Sequence, residues 1–135
     1  MDIVAKITMI ASIILMGYSA SQVVTSYATL CEKADAFRDL IRENDSQEKD
    51  VRRSNLAYSL ALAIGYVLLV HFSGLVLWIS VVIALKLALT LFMSDREICM
   101  VVRGTELKKT YFWLGKADSF VNVVLGLLVA ISLVL

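Results

Sequence analysis

Lys86, Asp118 and Gln22 are polar side chains set in stretches that are otherwise apolar. Each stands a similar distance from the boundary of its stretch. Lys86 lies seven residues before Met93, Asp118 six residues after Phe112, and Gln22 five residues before Tyr27. At about 1.5 Å of rise per helical residue, these are depths of roughly 10, 9 and 7.5 Å. An ammonium and a carboxylate at one level can neutralise each other, and an amide can satisfy what remains. Asn122 shares the helical face of Asp118. A charge inside hydrocarbon costs about 2.5 to 3.5 kcal/mol by insertion scales, so such groups are expected to pair or to line water. The expected polar layer is therefore Gln22, Lys86, Asp118 and Asn122. Lys116 sits about 160° around the helix from Asp118, close enough to the boundary to snorkel out.

A second pattern runs along the first apolar stretch. Thr8, Ser12, Ser19, Gln22 and Ser26 recur at helical spacing. Gly115, Ser119, Asn122, Gly126 and Ala130 form a small-residue face on the last stretch, and Ser80, Ala84 and Ala88 form one on the third. Two readings apply to these faces. They are close-packing seams between helices, or they line a polar path through a membrane.

The elements that must hold these groups are long. Residues 54–94 contain no Asp, Glu or Arg, with Lys86 and His71 as the one lysine and one histidine. A helix of 41 residues would be roughly 60 Å long, whereas a hydrocarbon slab is about 30 Å thick. Two spans joined by a turn at residues 71–74 fit instead. Stretches near both ends add two more, so the expected spans are about 7–27, 56–72, 75–93 and 112–133. A cleaved leader is disfavoured, because Lys6 is the one basic residue ahead of the first apolar stretch. The chain is 59% hydrophobic, with mean hydropathy +0.79. A soluble domain of 135 residues could not cover that much apolar surface.

Basic residues set the expected orientation. The connection 31–55 carries Lys33, Arg38, Arg42, Lys49, Arg52 and Arg53, and the connection 95–110 carries Arg96, Arg103, Lys108 and Lys109. The other side has only Lys6. Both connections are expected in the cytoplasm, with both termini and the His71 turn opposite, in a plasma or inner membrane rather than an organelle. Tyr27, Tyr58, Tyr111 and Trp113 then share the cytoplasmic interface and Trp78 the outer one, where amphipathic rings prefer to sit.

Both connections read as helical. Leu30, Ala34, Phe37 and Ile41 make an apolar stripe. Ser46 is placed to cap the next helix. The third span is expected to run on to Arg103, with Gly104 as its stop and Thr105 starting the last helix. Seven acids balance the six bases of 31–55, which reads as a solvated, salt-bridged surface.

Reaction chemistry finds no foothold. There is no metal-ligand cluster, no nucleophile beside a base, and no glycine-rich phosphate loop. Cys31 and Cys99 lack a metal spacing and are expected as reduced thiols. His71 reads as an exposed turn residue. No catalytic residue, metal or cofactor is expected, and the net charge of +1 carries no nucleic-acid footprint. The sequence therefore predicts one all-α integral membrane domain over residues 1–135. Its expected form is a four-helix transmembrane bundle of two antiparallel hairpins with helical cytoplasmic extensions. The expected partners are the lipid bilayer and either further copies of the chain or another membrane protein. The continuous hydroxyl stripe points first to an oligomeric ion channel or transport subunit passing a small ion. The alternative is a non-catalytic interaction protein: an assembly subunit, a regulator or an immunity-type binder.

Overall fold

The computed structural model describes residues 2–45, 47–104 and 108–135, and these form five α-helices: α1 Ile3–Val24, α2 Tyr27–Glu43, α3 Glu48–Phe72, α4 Leu77–Val102 and α5 Lys109–Val134. Four of them, α1, α3, α4 and α5, are long and apolar enough to cross a membrane. The expected cap at Ser46 and the expected helix start at Thr105 lie outside the described residues.

Local chemistry explains where the helices begin and end. Asp2 accepts a hydrogen bond from the Ala5 amide at 2.7 Å and caps α1. Thr25 and Ser26 then leave the helical region, and the Ser26 hydroxyl accepts from the Thr29 amide to start α2. Hydroxyl side chains favour such caps over helix interiors because they bond the exposed amides. The first helix thus ends before Tyr27. This corrects the expected stripe, since Ser26 caps α2 and is not part of α1. Gly74 and Gly104 both take positive φ, at the α3–α4 turn and just past α4, a conformation open to glycine without a Cβ penalty.

Packing differs from a pair of sequential hairpins. α3 and α4 do form a hairpin, but the main neighbour of α1 is α5, the last helix in the chain. Gly126 makes this seam possible. A Cβ built there would lie 2.7 Å from Met16 Cγ and 3.3 Å from the Ser12 carbonyl oxygen. Gly115, expected in the same seam, has open space around it. On the third-helix face, Ser80 is buried while Ala88 is exposed.

Val70, Ile79, Ile83 and Val129 form the apolar core near the α3–α4 turn. The opposite end holds a smaller cluster in which Ala34 of α2 meets Val101 of α4, with Leu30, Phe37, Met100 and Tyr111 around them. This uses the predicted stripe of α2. Between these clusters most large apolar side chains face outward, among them Ile13 and Ile14 of α1, Leu85 and Phe92 of α4, and Val124 of α5.

Gly126→Ala should weaken the α1–α5 seam by about 1–3 kcal/mol through overpacking. Gly115→Ala should be neutral or stabilise by about 0.5–1 kcal/mol, because alanine favours helix. Unfolding of the two variants in detergent micelles checks the contrast; equal effects would mean that the close approach at Gly126 does not hold the helices together.

Candidate functional site

Two pairs of side chains, each four residues apart, face one another across α4 and α5. Lys86 and Thr90 project from α4, and Asp118 and Asn122 project from α5. Residues at i and i+4 stack on one face of a helix, so each pair makes a short polar ladder. The Lys86 ammonium is ion-paired with Asp118 Oδ1. It also donates to Asn122 Oδ1 and to Thr90 Oγ1, both at 3.0 Å. Thr90 Oγ1 lies 3.1 Å from Asp118 Oδ2, where its one proton can be donated to the carboxylate.

The arrangement is enclosed. The side chains of Lys86 and Asp118 are 13% and 11% exposed, and Asn122 is buried. An ammonium has three N–H groups, and all three have acceptors here. The lysine is therefore solvated by the protein in place of water. This is the condition under which a charge can persist in apolar surroundings.

The network joins two helices rather than three. Gln22 is half-buried on the last turn of α1, and none of its hydrogen bonds reaches Lys86, Thr90, Asp118 or Asn122. The reason is the pairing of helices: α1 lies mainly along α5 and does not turn toward the α4 face that carries Lys86.

The rest of the stripe splits. Thr8, Ser12 and Ser19 are buried. The Thr8 hydroxyl is 2.8 Å from the Val4 carbonyl and 3.0 Å from the Leu69 carbonyl of α3. Ser12 Oγ and Tyr66 Oη of α3 are hydrogen-bonded at 2.7 Å. These hydroxyls tie α1 to α3. Ser26 is exposed and belongs to the α2 cap.

Two participants escape a first reading of the sequence. Thr90 is legible afterwards from its i+4 spacing to Lys86, and Tyr66 from the need of a buried phenol for a partner. Lys116, expected to snorkel, is half-buried, its ammonium 4.7 Å from the Phe112 ring centre and 5.4 Å from that of Trp113.

A second polar ladder closes the α3–α4 hairpin beyond its apolar portion, in residues 48–55 and 94–103. Arg52 binds Asp95 in bidentate fashion, at 3.1 and 2.7 Å. Glu48 accepts from Arg103 Nε at 3.1 Å and from the Cys99 thiol at 3.2 Å. Asn55 donates to Ser94 Oγ at 3.3 Å. Glu48 and Arg52 of α3 are thus cross-helix clamps, whereas most of the charges on α2 are exposed. Hydrogen bonds from Cys99 and then Arg103 hold the Glu48 carboxyl below its ordinary range. The bond from Arg52 does the same for Asp95. The same contact with Glu48 pushes the Cys99 thiol up. These groups are open to water, so each pair adds little to stability.

On the α2 side, Arg38 Nε donates to the Val101 carbonyl at 2.9 Å. The contact caps the end of α4 with a cation, where the helix dipole favours one.

Lys86→Ala should destabilise the fold by about 3 kcal/mol or more, because it strands Asp118 in apolar surroundings. Lys86→Met with Asp118→Leu should recover most of that loss, and failure of the rescue in detergent unfolding would mean that the pair does more than satisfy itself. At the clamp, both carboxyl pKa values are depressed, so the stabilisation they give is present at neutral pH. It is lost as the pH falls through those depressed values, below the ordinary range near pH 4. In a Cys31→Ser background, alkylation of Cys99 at pH 8 should be faster in Glu48→Gln than with Glu48 present; an unchanged rate would discard the thiol–carboxylate contact.

Comparison with protein-family models, curated proteins and solved structures finds no match to this chain, so its function must be read from the chemistry of its own residues.

Proposed function

We propose that the chain is an integral membrane protein crossing the bilayer four times, and that it acts as a non-catalytic interaction subunit: an assembly factor, regulator or immunity-type binder of another membrane protein. In this placement α1, α3, α4 and α5 are the spans of one transmembrane bundle. α2 and the charged ends of α3 and α4 lie in the cytoplasm, and both termini and His71 lie on the other side. The distribution of basic residues supports that orientation. Outward-facing apolar side chains along all four long helices support the insertion.

The observation that carries the functional reading is the saturation of Lys86. A lysine lining an ion path should present at least one N–H to water or to the passing ion. Here the three acceptors Asp118, Asn122 and Thr90 take all of them within one copy of the chain. The channel expectation drew on the continuity of the hydroxyl stripe. In the folded chain Thr8 and Ser12 are engaged by α3, and Ser26 belongs to a cap. The Gly126 seam is already filled by α1. What remains for a partner is the charged face of α2 and the apolar-floored groove of about 480 Å³ beside it, lined by Phe37, Leu40, Ile41, Val51 and Ile98 among others.

Ion flux in liposomes separates the two classes. Folded, inserted protein should pass neither cations nor anions above the level of empty liposomes, and the Lys86→Met, Asp118→Leu pair should behave the same. Flux whose selectivity shifts with either residue would overturn this reading and restore the channel.

A further inference from the structure

A strip of three aromatic rings lies where α2 and α5 begin. The Tyr27 and Phe112 rings meet edge to face with centres 5.5 Å apart, and Phe112 meets Trp113 in the same way at 5.6 Å. Two ammonium groups rest on this strip. Lys109 Nζ is 5.9 Å from the Tyr27 ring centre, and Lys116 Nζ is 4.7 Å from that of Phe112. Neither lysine is in an ion pair among the described residues.

The spacing puts both lysines on one side of α5. Residues 109 and 116 are seven apart, which returns them to the same face of α5 two turns along. Side chains on a helix lean toward its N-terminus, and Lys116 reaches back a full turn to Phe112 and Trp113. The rings hold both cations by cation–π attraction. Among the described residues, no side chain caps the start of α5, so its dipole adds to the positive potential there.

We propose that Lys109 and Lys116, held on the rings of Tyr27, Phe112 and Trp113, bind the phosphate of an anionic phospholipid headgroup. A phosphodiester carries one negative charge and two oxygens that can accept from both ammoniums. The exposed apolar side chain of Phe120, one turn further along α5 on the Lys116 face, gives the acyl chains a surface to follow. The assignment to lipid rather than free phosphate rests on the membrane placement proposed above. That placement puts this strip at the cytoplasmic interface, where anionic lipids concentrate.

The test uses Trp113 as reporter in a Trp78→Phe background. The protein is reconstituted in phosphatidylcholine vesicles carrying either brominated phosphatidylglycerol or brominated phosphatidylcholine at equal fraction, and quenching is compared. Basic residues near an anionic surface contribute on the order of a fivefold preference each. Quenching should therefore favour phosphatidylglycerol severalfold, and K109Q/K116Q should bring the preference to about one. K33Q/K49Q, which removes the same charge elsewhere, should keep it.

Equal quenching by both lipids, a preference that survives K109Q/K116Q, or one that vanishes in K33Q/K49Q would each overturn the site while leaving the membrane placement standing. Quenching by neither lipid would overturn the placement and the site together. Loss of the preference on adding millimolar inorganic phosphate would reassign the site to free phosphate and overturn the lipid.

Discussion

The contact between Lys86 and Asp118 is the constraint to which the other features of this chain answer. Neither charge is tolerable alone in apolar surroundings, and together they form a neutral unit whose donors have partners. The pair ties α4 to α5, two helices that otherwise touch sparingly. Its position also explains the neighbours. Thr90 and Asn122 sit one turn along from Lys86 and Asp118, where they can take up the lysine's remaining protons.

The other helix pairs are held differently because their surfaces differ. α1 and α5 approach closely through Gly126, so backbone and Met16 contacts replace large interdigitating side chains. α1 is bound to α3 by hydroxyls, with Thr8 reaching a main-chain carbonyl and Ser12 reaching the Tyr66 phenol. α3 and α4 combine an apolar core near their turn with ionic and amide bridges at their far ends. The chain changes from dispersion to hydrogen bonding to ion pairing along that hairpin. The change follows the sequence of the hairpin, apolar toward its turn and charged at its far ends.

Position along the helices also sorts the lysines. Lys86 is deep and enclosed, so it needs a carboxylate. Lys116 is eight residues from the N-cap of α5 and leans back onto Phe112 and Trp113. It keeps its charge accessible while its stem covers apolar surface. The same residue type takes a structural role in one place and a surface role in the other because the depth of its helix position differs.

The number of apolar helices, their lengths, the amphipathic stripe of α2 and the stop after α4 are written locally in the sequence. They depend on hydropathy, periodicity and backbone freedom at single positions such as Gly104. The opposition of Lys86 and Asp118 was legible too, from depth alone, because two lone charges at one level have few other ways to be satisfied. Partner choice among helices was not legible. Nothing local states that α1 lies along α5, and that pairing is what leaves Gln22 out of the polar network and turns the Thr8 and Ser12 hydroxyls toward α3. The bridges from Glu48 and Arg52 to Cys99, Arg103 and Asp95 were hidden for the same reason. An i, i+4 charge pattern looks identical whether its partners are on its own helix or across from it, and only the packed hairpin decides between them.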